Sequence, residues 1–207
     1  IVKNGSGRAR ALEGLGEETV ILSGEVAGPV AVQMNGATYM ADVLGGQKTG
    51  IFLDQRPNHA FARTLARGAR VLDVFCHVGG FSLACLAGGA ISALAVDGSS
   101  PALALAEKGA AASGFADRLA TRRGDAFAVM ESLADEAQAF DLVVCDPPAF
   151  APSKPSLAAG LRAYERVARL AADLVAPGGY LGLCSCSHAA DLMAFRNASV
   201  RGIGRAG

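Results

Sequence analysis

Arg70-Val-Leu-Asp-Val-Phe-Cys-His-Val-Gly-Gly-Phe81 is the stretch that decides the fold. Val71 to Phe75 is short and nearly all apolar, as in a strand buried on both faces of a parallel sheet. It ends in Gly79-Gly80, and Phe81-Ser-Leu-Ala-Cys-Leu-Ala87 resumes with helix-compatible residues. Strand, glycine turn and helix bring backbone N–H groups and a helix N-terminus against a small ligand. The glycines let the backbone approach with no Cβ in the way. The spacing is not Gly-x-Gly-x-x-Gly, so a dinucleotide is not the ligand it points to.

Outward from this unit, apolar runs alternate with helical patterns. Ile91 to Asp97 reads as a second strand, and Ser99-Ser100-Pro101 starts a helix that runs from Ala102 to about Ala112. Leu119 to Arg122 is a weaker third strand, with a helix from Ala126 to Ala137 after it. Phe140 to Asp146 is a fourth strand, cut off by Pro147-Pro148. Leu157, Leu161, Tyr164, Ala168, Ala171 and Val175 recur at steps of three and four, which predicts an amphipathic helix from Ser156 to Val175, ended by Pro177-Gly178-Gly179. Tyr180 to Cys184 is the fifth strand, and the tail from Ala189 begins as a helix. Upstream, Thr19 to Leu22 is a short strand and His59 to Arg67 a helix ending at Gly68. Asn35-Gly36 between two alternating arms predicts a type I′ hairpin over residues 30–43. The expected architecture is α/β, a Rossmann-like doubly wound parallel sheet preceded by a small β-hairpin element. Residues 1–47 form the β element and residues 48–207 the main domain.

Composition sets the bounds. With 51% apolar and 18% charged residues, the 207-residue chain is globular rather than disordered. No apolar run reaches the roughly 18 residues of a membrane span, and no charged-then-apolar signal segment opens the chain. Five cysteines without framework spacing read as reduced thiols of a cytoplasmic protein. A net charge of zero argues against a broad nucleic-acid-binding surface, though not against a local basic patch.

In a doubly wound sheet the ligand sits beyond the carboxyl ends of the strands. Those ends carry Gly79-Gly80, Asp97, Asp125, Asp146 and Cys186. An acid about 20 residues past the glycine loop typically accepts hydrogen bonds from ribose hydroxyls, and Asp97 fills that place. Asp125, in Gly-Asp-Ala, is equally a helix N-cap. In Asp146-Pro147-Pro148-Ala149-Phe150, two prolines stiffen the loop and leave carbonyls and a carboxylate facing outward. This is a cradle for a planar, N–H-bearing ring, with Phe150 available to stack on it or, alternatively, to join the core. Cys184-x-Cys186 with His188 lacks a second cluster, so no metal is expected.

Asp73-x-Phe75-x-x-x-Gly79-Gly80-Phe81, Asp97, Gly124-Asp125 and Asp146-Pro-Pro-x-Phe150, in this order, resemble class I S-adenosylmethionine-dependent methyltransferases. Gln47-Lys-Thr-Gly-x-Phe-Leu-Asp-Gln-Arg56 and Ser185-Cys186-Ser187 resemble, more narrowly, the bacterial 23S ribosomal RNA cytosine-C5 methyltransferases of the large subunit. The resemblance covers residues 30 to about 195. It implies S-adenosylmethionine as cofactor and 23S-type ribosomal RNA as partner. Asp73, Phe75, Gly79 and Gly80 would hold the methionine part of the cofactor, Asp97 the ribose, and Asp125 the neighbourhood of the adenine. Lys48, Thr49, Gly50, Gln55 and Arg56 would close over it. Asp146, with Pro147, Pro148 and Phe150, would hold the target base, and Cys186 would be the nucleophile. Lys154, with Arg162, Arg166 and Arg169, would meet phosphates or simply form the solvated face of a helix. The family's sheet has two further strands after its last helix, and larger relatives begin with an RNA-binding module; neither is read in this chain.

The nucleophile makes chemical sense without the family. Carbon 5 of cytosine is too weak a nucleophile unaided, and a thiolate added at carbon 6 turns the ring into an enamine. Cys85 and Cys145 lie in apolar runs and read as core, and Cys76 belongs to the glycine loop. Two rival readings remain: methylation of a base nitrogen through the Asp146-Pro-Pro-Ala-Phe150 loop, and a non-catalytic fragment that binds S-adenosylmethionine.

Overall fold

The structure is a computed structural model describing residues 2–4, 12–14, 18–46 and 50–207. Two short strands, β1 (Val2–Asn4) and β2 (Glu18–Val20), pair antiparallel. The hairpin follows, β3 (Val30–Met34) and β4 (Ala37–Ala41). Its turn has φ of 52° at Asn35 and 83° at Gly36, the left-handed pair that a type I′ turn requires. Helix α1 (Arg56–Leu65) carries proline in its first turn, which is why it starts ahead of the predicted His59.

The main sheet alternates with helices: β5 (Arg70–Val74), α2 (Gly80–Ala87), β6 (Ser92–Asp97), α3 (Ser100–Ala112), β7 (Leu119–Arg123), α4 (Ala126–Asp135), β8 (Phe140–Cys145), α5 (Leu157–Ala172), β9 (Val175–Leu183) and α6 (Leu192–Ile203). Among the described residues the sheet has five parallel strands in the order β7-β6-β5-β8-β9. The order reverses between β5 and its neighbours, so the crevice at their carboxyl ends is the natural ligand site.

Alternation along β5 sends Leu72 and Val74 to one face, against Met130, Leu133, Val167 and Leu170 of α4 and α5. Val71 goes to the other face, against Ala62 and Ala66 near α1 and Phe81 and Cys85 of α2. Asp73 therefore points to the α2 side. Leu72, Val74 and Val143 are 0% exposed; truncating such a residue to alanine costs roughly 2–5 kcal/mol. The hairpin is packed onto the same body: Met34, Ala37 and Tyr39 share a cluster with Leu83 of α2 and Ala110 of α3.

One boundary is corrected. The amphipathic period predicts helix through Val175, but α5 stops at Ala172 and Val175 opens β9, paired with Phe140. Pro177 disfavours helix at the residue before it, and Gly178 sits at φ 81°. The Pro-Gly-Gly segment is an excursion within the strand, between the Phe140–Val175 and Leu142–Tyr180 pairs, rather than the end of the helix.

Candidate active site

The carboxyl ends of β5, β6 and β8 and the segment after β9 converge on one cavity of about 790 Å³, within the range of small-molecule sites. Its two ends are built differently.

At the β5 end, Phe75 and His77 hold positive φ values of 64° and 49°. Such backbone costs on the order of 1–3 kcal/mol per residue and persists only where neighbours impose it. They do: Cys76 N–H donates to the Val96 carbonyl at 3.0 Å and Gly79 N–H to the Cys76 carbonyl at 2.8 Å. His77 N–H donates to Asp97 Oδ2 at 2.9 Å, while Ser99 N–H donates to Asp97 Oδ1 at 2.8 Å. Asp97 thus anchors the loop after β5 and the start of α3. Each oxygen keeps lone pairs for a ligand hydroxyl, and the residue lines the cavity.

Asp73 is 0% exposed. Its Oδ2 accepts from both the N–H and the Oγ–H of Ser82, each at 2.8 Å. Its Oδ1 is buried with no partner among the described residues. Burial, reinforced by Asp146 and Asp97, pushes this carboxyl up to about 7. An orphaned acceptor in the wall of a ligand-sized cavity is costly until a donor, best a cation, reaches it. The amino-acid end of S-adenosylmethionine carries such an ammonium, so this end of the cavity fits that cofactor.

His59 is a member of this site without a signal in the sequence. It is 5% exposed, stacked on Tyr39 at 6.5 Å and set edge-on to Phe81 at 4.5 Å. Burial holds its imidazole down to about 4, so it is neutral. Tyr39 O–H donates to the Gly80 carbonyl at 3.2 Å. A Cβ on Gly80 would lie 2.6 Å from His59 Nε2, so the second glycine is required by this ring.

At the β8 end a backbone link is joined by a chain of side-chain links. Asp146 N–H donates to the Val74 carbonyl at 3.2 Å. Asp146 Oδ1 accepts from Gln55 Nε2 at 3.1 Å, and Gln55 Oε1 accepts from Asn58 Nδ2 at 2.6 Å. The asparagine thereby fixes which way the glutamine amide faces. Burial, reinforced by Asp54, raises Asp146 to about 6. Pro147, Pro148 and Cys186 complete this wall. Cys186 Sγ lies 3.9 Å from the Pro147 carbonyl oxygen. It is exposed, whereas Cys76, Cys85 and Cys145 are buried. Burial pushes all three of those thiols up, Cys85 to about 12, and Cys184 likewise to about 12.

Of the sequence-predicted residues, Gly50, Gln55, Asp73, Phe75 and Gly80 line this cavity. So do Asp97, Asp146, Pro147, Pro148 and Cys186. Lys48 and Thr49 lie outside the described residues. The remainder do not line it. Arg56 is exposed, and its carbonyl accepts from Asn35. Gly79 is the left-handed N-cap of α2, at φ 80°. Asp125 is exposed and caps α4, accepting from Ala128 N–H at 3.1 Å. Lys154 sits exposed in a 3-10 turn, Lys154–Ser156. Phe150 is half-buried and packs on Phe75 and Phe127 at 6.2 Å and on Tyr164 at 5.0 Å. Arg166 is committed to Glu131 at 2.8 Å and lies over the Phe127 ring, and Arg169 is 3.9 Å from Asp173.

Residues 16–198 match the protein family described as S-adenosylmethionine-dependent methyltransferase. The chain is 39% identical over 180 residues to the ribosomal RNA large subunit methyltransferase I of Photobacterium profundum, covering 86% of this chain and 45% of that one. It is 37% identical over 191 residues to the protein of the same name from Vibrio cholerae, covering 90% and 48%. The chain thus spans about half the length of the curated relatives it matches. Among solved structures, one crystallised as a complex with SAH superposes with a TM-score of 0.80 at 24% identity, covering 90% of this chain and 50% of that one. A SAM-dependent methyltransferase from Agrobacterium tumefaciens gives 0.75 at 17% identity, covering 90% and 62%. These two share the fold. No helix among the described residues is long and apolar enough to cross a membrane.

Proposed function

The chain belongs to the S-adenosylmethionine-dependent methyltransferase family, and from that premise we propose that it methylates carbon 5 of a cytosine in 23S-type ribosomal RNA, in the cytoplasm, through a covalent adduct on Cys186. In this reading residues 48–207 carry the catalytic domain, and residues 1–47 are the β element beside it. The observation that carries the proposal is the company Cys186 keeps. It is the exposed cysteine of the five, and it lines the same cavity as Asp73 and Asp146.

Asp73 holds the cofactor's ammonium, Asp97 its ribose hydroxyls, and the loop from Phe75 to Gly80 its sulfur end. Bound there, the cofactor supplies an electrophilic methyl group on a positively charged sulfur. Cys186 Sγ forms a bond to carbon 6 of the cytosine, and the electrons of the 5,6 double bond move into the ring, making carbon 5 nucleophilic. Asp146, raised to about 6, is poised near neutrality to hold the proton that the ring takes up at N3. After methylation the carbon-5 proton passes to a water molecule, the Sγ–carbon 6 bond breaks to restore the thiolate, and N3 returns its proton to Asp146. The target base must leave its stack to enter this cavity.

The test is incubation with 23S ribosomal RNA and labelled cofactor, followed by digestion to nucleosides. The expected product is 5-methylcytidine, absent with Cys186→Ala. A methyl group on a base nitrogen, made equally by Cys186→Ala, would overturn the carbon-5 assignment in favour of a thiol-independent reaction on the Asp146 loop. Cofactor binding without any transfer would leave a binding fragment.

A further inference from the structure

We infer that Tyr164 is a positioning residue for the Cys186 thiol, acting through the two serines that flank it. The inference rests on the reading of Cys186 as nucleophile. Tyr164 lies on α5 and is 2% exposed. Its ring is wedged between Phe150 and Phe195, each at 5.0 Å, so its hydroxyl cannot swing. That oxygen receives the Ser185 hydroxyl at 2.9 Å and pairs with the Ser187 hydroxyl at 2.7 Å. Ser187 N–H donates to Ser185 Oγ at 3.3 Å, which closes the group.

Two hydroxyls two residues apart converge on one fixed oxygen, so the residue between them is turned the other way, into the cavity wall. Ser187 Oγ also accepts from Ala151 N–H at 2.9 Å. Ala151 follows the Asp146-Pro-Pro-Ala-Phe150 segment directly. One buried phenol therefore sets the aim of the thiol and, through the same serine, the seat of the loop that holds the base. Neither end of the Sγ–carbon 6 bond can drift without the other. Any small residues could make a turn at positions 185 and 187; hydroxyls at both are what this anchor requires.

The experiment is single-turnover trapping on a 23S ribosomal RNA transcript containing 5-fluorocytidine, which keeps the adduct because carbon 5 carries no removable proton. Tyr164→Phe keeps the ring and deletes the anchor. The expected result is adduct formation slowed about 10²-fold, the scale of an ångström-sized misplacement. Iodoacetamide still alkylates Cys186 at the unaltered rate, and the buried Cys76, Cys85 and Cys145 stay unreactive. An adduct rate equal to that of the unaltered chain overturns the inference. If Tyr164→Phe opens the core so that the buried thiols react, the double variant Ser185→Ala, Ser187→Ala carries the test: a slowed adduct with a closed core supports the inference, and an unchanged rate overturns it. An unaltered chain that forms no adduct overturns the carbon-5 reading, and the inference falls with it.

Discussion

At the Gly79-Gly80 end of the cavity, position is enforced by main chain: two non-glycine residues in left-handed conformation, amides tied to Val96 and Asp97, and a glycine pressed against the His59 ring. At the Asp146 end, beyond the backbone bond of Asp146 to Val74, position is enforced by side chains, with Asn58 orienting Gln55, Gln55 holding Asp146, and Tyr164 gathering Ser185 and Ser187. The first end suits a ligand that is the same in every turnover. The second can be retuned one side chain at a time, as recognition of a particular base requires. Substitutions should therefore separate cleanly into those that change cofactor binding and those that change chemistry.

The largest effect expected is at Cys186. Cys186→Ala should lower methyl transfer by about 10³-fold or more while calorimetry finds cofactor affinity unchanged. A parallel loss of affinity would mean that the two ends are not separable. Gly80→Ala is the mirror case. Its Cβ would meet His59 Nε2 at 2.6 Å, an overpacking that costs roughly 1–3 kcal/mol of stability. Thermal unfolding should show that loss and calorimetry a weakened cofactor, with iodoacetamide alkylation of Cys186 unaffected.

Asp73→Asn keeps acceptors for Ser82 but removes the charge facing the cavity. A hydrogen bond to a charged group is worth about 1.5–3 kcal/mol, so cofactor affinity should fall by about 10- to 100-fold. The same residue gives a pH signature. Folding raises its pKa from 3.8 to about 7; the native chain then holds more protons than the unfolded one, and stability falls as pH rises through that window. His59, lowered from 6.5 to about 4, acts in the opposite sense below pH 6.5, and Asp146, raised from 3.8 to about 6, is largely ionised above that point. His77, also lowered by burial, adds to the His59 contribution, so the Asp73 share is read as a difference: in chemical denaturation from pH 6.5 to 8 the unaltered chain should lose stability relative to Asp73→Asn. A difference that does not change with pH would refute the assignment. Cofactor binding near pH 6.5 should also release a proton, read as a buffer-dependent calorimetric heat.

The smallest effect is at Gln55. Gln55→Leu removes the amide donor that favours the Asp146 carboxylate, worth roughly 1.5 kcal/mol at most for this half-buried pair. It should shift the alkaline limb of the pH–rate profile, set by Asp146, upward and leave cofactor affinity untouched. A large loss of affinity would return Gln55 to the cofactor end, where the family resemblance puts it.

Strands β5, β6 and β8 were legible because each is a short apolar run between turn signals, and the hairpin because Asn35-Gly36 admits few alternatives; β1 was not read, and β7, Leu-Ala-Thr-Arg-Arg, carries little apolar signal. The helix–strand boundary at Val175 was not legible, since Val175 extends the three-and-four period of α5 and only the pairing with Phe140 decides against it. Asp97, Asp146 and Cys186 could be placed in one cavity because strand ends in a doubly wound sheet share an edge; Asp125, read at the same edge, caps α4 outside that cavity, and Asp73 entered only through the family resemblance. The half-buried packing of Phe150 was not legible, because it depends on Phe75, Phe127 and Tyr164, which are distant in sequence. His59 carries no local signal at all. Its sequence trace is indirect, the absence of a side chain at Gly80.

Tyr39 reaches Gly80 from the hairpin, and Met34 and Ala37 sit against Leu83 and Ala110. The conventional place to trim such a protein, just ahead of the first central strand, would strip a prop from the glycine loop and uncover hydrocarbon on two helices. A shortened version beginning at Ile51 should come out of expression prone to clumping and poor at retaining nucleosides, even though every catalytic side chain survives the cut.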